Sequence, residues 1–193
     1  MRLLTNTAVL LALAATAFAT PPVPRKSPEF TITDPAGKPL LLSSLRGKIV
    51  VMPLMFTTCP HCQREAQMLT KLQKEFAAKG VVMQGVVFND ANGAMAAQFV
   101  KEFGIGFPVG FASRDSVISY LGLSVMDRWV VPQVAILDRK GNIVAQSEAT
   151  GTPALQDEDY LRKLLDKLVA GGSASGSAVP AQKATPKTVA KAN

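Results

Sequence analysis

Both cysteines of the chain and its only histidine fall in one tetrapeptide, Cys59-Pro60-His61-Cys62, inside "FTTCPHCQRE". Such residues serve four kinds of chemistry: a disulfide staple, a metal clip, a peroxide-reducing thiol, or a dithiol that exchanges electrons with other proteins. A staple across so short a loop removes little chain entropy and stabilises weakly. A closed zinc site asks for four ligands. The chain offers Cys59, Cys62 and His61, with no other Cys or His, so no metal site is expected. Redox exchange fits better, because the thiolate is the nucleophile and its surroundings govern its reactivity.

The elements around the tetrapeptide explain how it is positioned. "IVVMPLMF" (49–56) is a continuous apolar run with β-branched residues, the mark of a central strand buried on both faces. Pro53 inside it cannot donate to a ladder, so a bulge or an early end is expected there. From 60 to 79 the pattern turns helical, with Ala66, Leu69, Leu72 and Phe76 on one face and Gly80 as a stop. Cys59 therefore sits at a helix mouth, where unpaired N–H groups and the positive dipole end favour a thiolate. Cys62 lies one turn in. Pro60 loses no needed hydrogen bond in the first turn. His61, when protonated, would favour a neighbouring thiolate; otherwise it is an exposed turn residue.

Further along, 81–88 reads as a second buried strand, 93–104 as a helix, 107–112 as a short strand and 114–122 as a short helix. Residues 132–138 and 142–148 form a hairpin, and 155–171 is the last helix, acidic in its first turn. Before the dithiol, 30–34 and 39–45 read as an opening hairpin. Strands alternating with helices imply an α/β domain with a mixed sheet covered on both faces.

The 193 residues suffice for one ordinary domain. With 48% apolar and 18% charged residues, a buried core is expected. Residues 1–19 have one Arg, an apolar run and an Ala17-Phe18-Ala19 cleavage pattern, which reads as a signal peptide. Residues 20–27 read as a Pro-rich linker, 28–170 as the domain and 171–193 as a disordered basic tail. The expectation is export to a bacterial periplasm, the alternative being an uncleaved anchor facing it. Membrane contact is expected only through that signal or the tail. The formal charge of +7 comes largely from the ends. Residues 20–170 hold 17 basic and 14 acidic residues, hence +3. Such scattered charge argues against a nucleic-acid partner.

On these motifs the chain resembles the thioredoxin superfamily, and more narrowly the TlpA/ResA-like exported thiol-disulfide oxidoreductases within the redoxin group. "PEFTITDPAGKPLLLSSLRGKIVVM" is similar to that branch's opening hairpin and first central strand. "CPHCQREAQMLTKL" is similar to its active-site helix, and "VVPQVAILDRKGNIV" to its cis-proline segment and closing hairpin. The resemblance implies a thioredoxin fold and no cofactor. It implies a redox-active Cys59–Cys62 pair, a cis Pro132 facing it, and a Val131 backbone free to pair with an extended substrate chain. It places Glu65 where the branch carries a glutamate near the site. Trp129 lines the substrate groove or packs in the core. Partners would be protein thiols or disulfides and a redox partner, with the protein a monomer.

Two departures stand out. Thioredoxins carry a buried acid where this chain has Pro53, and a Trp where it has Thr58. Proton transfer to Cys62 then falls to Glu65 or to water. The direction of exchange stays open. "CPHC" and a Val before the proline are similar to the oxidising DsbA proteins, whereas the TlpA/ResA-like branch is associated with reduction, including that of apocytochromes c. Two alternatives remain. A peroxiredoxin-like thiol peroxidase would want Pro-x-x-x-Thr-x-x-Cys, and Thr57 stands one residue too near Cys59. A non-enzymatic copper-binding protein of the Sco type would want Cys-x-x-x-Cys and a distant His.

Overall fold

The computed structural model describes residues 20–124, 126 and 128–171. The expected signal peptide and nearly all of the basic tail lie outside the described residues. The strands are β1 (Arg25–Lys26), β2 (Thr31–Thr33), β3 (Pro39–Leu41), β4 (Ile49–Met55), β5 (Val81–Met83), β6 (Gly85–Val87), β7 (Val109–Phe111), β8 (Gln133–Leu137) and β9 (Asn142–Gln146). The helices are α1 (Pro60–Phe76), α2 (Gly93–Phe103), α3 (Arg114–Leu121) and α4 (Glu158–Val169). One mixed sheet runs β1-β9-β8-β4-β6-β7-β2-β3, with β5 also paired to β4.

The apolar run of β4 occupies the middle of this sheet, and every residue in it is buried. Alternation sends its side chains to opposite faces. Ile49, Val51 and Met55 enter a core with Leu69, Leu72 and Phe76 of α1, Phe99 of α2 and Leu161 and Leu165 of α4. Val50, Met52 and Leu54 enter a second core with Val117, Ile118 and Leu121 of α3. Both faces are thus covered, as the strand pattern implied. Each fully buried aliphatic side chain stabilises by roughly 1.5–3 kcal/mol.

Helix α1 forms where the spacing placed it. Cys62, Glu65, Ala66, Leu69, Leu72 and Phe76 make its buried face, Pro60 opens it, and a 3₁₀ turn closes on Gly80 at φ +82°. Helix α4 begins later than the 155–171 pattern suggested. Residues 153–156 form a 3₁₀ turn, and Asp157 caps Tyr160 N–H at 2.8 Å. Arg162 of α4 pairs with Glu75 of α1 at 3.0 Å and with Glu158 at 2.7 Å.

Four details differ from the sequence reading. Pro53 neither bulges nor ends its strand, since β4 pairs with β8 without a break from Val50↔Leu137 to Leu54↔Gln133. Opposite Pro53, Val134 N–H bonds to the Ser147 hydroxyl at 2.9 Å. Pro53 and Val134 therefore form a non-hydrogen-bonded pair, and the missing N–H points away from β8. On that other side the 81–88 run splits at Gln84, β5 pairing through Val51↔Met83 and β6 from Leu54↔Val86. The two ladders share one register, so the gap between them falls where Pro53 has no N–H to offer. Second, the 39–45 strand stops at Leu41 and turns 3₁₀ over Leu42–Leu45. Third, the Pro-rich 20–27 segment is partly structured, because Arg25 and Lys26 pair with Ile143 and Asn142 along the edge of β9. Last, β7 is confined to residues 109–111.

Topology brings the site together. Strand β4 ends at Met55 and its chain enters α1 at Cys59. Strand β8 runs antiparallel beside it, its first residue Gln133 opposite Leu54. The peptide before β8 therefore arrives at the same end of the sheet as the helix mouth.

Candidate active site

Cys59 is the N-cap of α1, in an extended conformation that a capping residue adopts. Its Sγ accepts from Cys62 N–H at 3.4 Å, so the sulfur itself caps the helix. The Cys59 thiol also reaches the Val131 carbonyl at 3.9 Å. The pair is a dithiol here, with Cys59 half-buried and Cys62 fully buried. Burial pushes the Cys62 thiol far above its ordinary value; the contact with Cys59 adds to this, and the charge of nearby Glu65 adds a smaller part. One sulfur faces solvent at a helix mouth while the other is held back as a thiol.

The Val131–Pro132 peptide is cis. Pro132 is buried, whereas Val131 is half-buried. Among the described residues the Val131 N–H has no hydrogen-bond partner. Cys59, Cys62, Val131 and Pro132 are thus assembled at one end of the sheet.

Glu65 is only 4% exposed, and neither carboxyl oxygen has a hydrogen-bond partner. Burial alone pushes its pKa up to about 8. It faces inward on the same helix face as Cys62 rather than toward solvent. His61 points the other way. It is exposed, with its Nδ1 3.0 Å from Arg64 Nη2. Trp129 packs against the second core. It is half-buried against the rings of Phe56 and Phe88, at 6.1 and 5.9 Å, and its outer face carries the Arg114 guanidinium at 4.8 Å.

Supporting residues had no motif to betray them. Asn89 accepts from Thr57 N–H at 3.1 Å and donates to the Thr57 hydroxyl at 3.0 Å, and Gln63 donates to the Thr57 carbonyl at 2.9 Å. These contacts fix the loop that delivers Cys59. Gln133, fully buried, donates to the carbonyls of Val130, Glu148 and Ala149. A polar residue in an otherwise apolar strand is a signal of buried hydrogen bonding, and Gln133 was the one in "PQVAIL". Among the described residues, no group of three or more His, Cys, Asp or Glu is arranged to hold a metal ion.

Comparison with known proteins sets this geometry in context. The AhpC/TSA family pattern matches residues 23–146. The thiol-disulfide oxidoreductase ResA of Bacillus thuringiensis (strain Al Hakam) is 28% identical over 140 residues, covering 72% of this chain and 77% of that one. ResA of Bacillus subtilis (strain 168) is 27% identical over 150 residues, covering 78% and 77%. Among solved structures, a thiol:disulfide interchange protein of the thioredoxin family from Chlorobium tepidum TLS superposes with a TM-score of 0.62 at 23% identity. It covers 76% of this chain and 97% of that one. A thiol:disulfide interchange protein from a Bacteroides species gives 0.62 at 23%, covering 77% and 90%. The fold is the thioredoxin fold.

Proposed function

The chain belongs to the AhpC/TSA family, and on that premise we propose that it is a protein thiol-disulfide oxidoreductase acting through Cys59 and Cys62. The observation that carries this reading is the asymmetry of the pair: Cys59 capping α1 beside Val131, and Cys62 buried behind it. The similarity to ResA supports it.

In the reducing direction, the Cys59 thiolate attacks one sulfur of a substrate disulfide. A mixed disulfide forms and the other substrate sulfur leaves as a thiolate. Cys62 gives its proton to the Glu65 carboxylate, and its sulfur attacks Cys59 Sγ. The second substrate thiolate leaves and both take up protons. The protein ends as a disulfide and the substrate as two thiols; the same steps reversed oxidise a substrate dithiol. A carboxylate with a pKa near 8 is a stronger base than an ordinary one, which suits it to accept a thiol proton. The free Val131 N–H offers backbone pairing to an extended substrate. Trp129 and the exposed Val130 border that strand site. Arg64, donating to His61 Nδ1 at 3.0 Å, supplies local positive charge there.

The sequence of residues 1–19 supports export to the periplasm, where protein substrates and a redox partner would meet the monomer. The peroxide-reducing alternative has less support, because the Thr57 hydroxyl is tied to Asn89 and stands off the peroxidase spacing. Equilibration of the Cys59–Cys62 couple against glutathione buffers tests the reading. A potential near about −270 mV makes it a reductant and one near about −120 mV an oxidant. No change of thiol content across that range would sink it.

A further inference from the structure

Gln133 is the first residue of β8, directly after cis Pro132, and it is fully buried. Its Nε2 donates to Val130 O at 2.8 Å, Glu148 O at 3.2 Å and Ala149 O at 3.2 Å. Three carbonyl oxygens surround this end of the amide, so the nitrogen must be the end that faces them. Val130 N–H returns to Ala149 O at 2.9 Å. The chain on the N-terminal side of Pro132 is therefore pinned to the 148–149 segment from two directions. Between the pins lies Val131, its carbonyl 3.9 Å from Cys59 Sγ and its N–H unpaired. The Oε1 of Gln133 is itself buried without a donor. A buried polar atom left unpaired costs stability, so the amide is poorly explained as core filling.

We propose that Gln133 is a positioning residue for protein substrates: its three-carbonyl clamp holds the Val131 backbone at the angle needed to pair with a substrate chain beside Cys59. The inference rests on the thiol-disulfide reading and deepens it. A substrate that docks by backbone pairing needs the clamp. A small disulfide that only meets the Cys59 sulfur does not.

The test compares second-order rate constants of the reduced protein with two probes, a synthetic extended peptide closed by one disulfide and hydroxyethyl disulfide. In Gln133→Leu the ratio of peptide to small-disulfide rates should fall about tenfold, as expected when a backbone hydrogen bond is mispaired. Gln133→Glu keeps the shape and works as a second variant should the first fail to fold. A carboxylate has no proton to give the three carbonyls, whereas a protonated carboxyl has one. Its peptide ratio, relative to wild type, should be low at about pH 9 and recover toward about pH 6 as burial keeps the acid protonated. Equal slowing with both probes, an unchanged ratio, or no recovery in acid would overturn the assignment. A wild-type protein that reacts with neither probe would remove the thiol-disulfide reading itself, and this inference with it.

Discussion

Replacing Glu65 with Gln should make the stability of the reduced protein less sensitive to pH. In the native state burial raises the Glu65 pKa from 4.5 to about 8. The native state thus binds this proton more tightly than the unfolded chain. The stability gained from the neutral carboxyl is complete below about pH 4.5 and is lost as pH rises toward about 8. At ~1.4 kcal/mol per pKa unit, the loss between pH 5 and pH 8 comes to about 3–4 kcal/mol, most of the full shift. Gln has the same shape and a buried polar cost of its own, but one that does not vary with pH. Urea unfolding of wild type and Glu65→Gln, both kept reduced, at pH 5 and pH 8 measures the difference. The variant should gain about 3–4 kcal/mol on wild type between the two pH values. A stability gap that is the same at both would refute the buried, unpartnered carboxyl and with it the proton acceptor assigned to Cys62.

Three further outcomes are expected. Cys62→Ser should accumulate a mixed disulfide between Cys59 and a substrate cysteine, visible as a reducible adduct by mass spectrometry, because the resolving thiol is gone. Asp157→Ala removes the cap on α4 and should cost about 1 kcal/mol in urea unfolding, with exchange activity retained since the hydrogen bonds of Cys59 and Cys62 do not involve α4. Pro53→Ala should cost about 1–3 kcal/mol in urea unfolding, because it hollows a buried site and adds a buried N–H at a gap in the ladder; unchanged stability would contradict that register.

The parts of the site that depend on local spacing were legible in the sequence. The Cys59–Cys62 pair, its place at the head of a helix and the apolar face of that helix follow from spacing alone. The pairing with Val131 and Pro132 is not local. It depends on β8 lying antiparallel beside β4, a long-range contact that only the family resemblance suggested. Glu65 shows where local reading stops. The resemblance placed it near the site without saying whether it is covered, and it is the packing of α1 against the sheet that buries it. Pro53 was misread because a proline's cost depends on which neighbour faces the missing N–H. That is a property of the sheet, here of the break at Gln84 between β5 and β6. Arg25 and Lys26 were assigned to a linker because two residues carry no periodicity, and only the open edge of β9 makes them a strand.

That last pairing bears on how the sheet ends. It finishes on one side with the two-residue β1 and on the other with the three-residue β3, which runs into a 3₁₀ turn. Edges so short give a passing polypeptide little to zip onto. The unpaired Val131 N–H, by contrast, sits against the reactive sulfur. A chain that pairs there meets Cys59 at once, and one that drifts to either margin of the sheet finds no ladder to extend. On the proposed reading, blunted edges confine strand addition to the backbone beside the reactive sulfur.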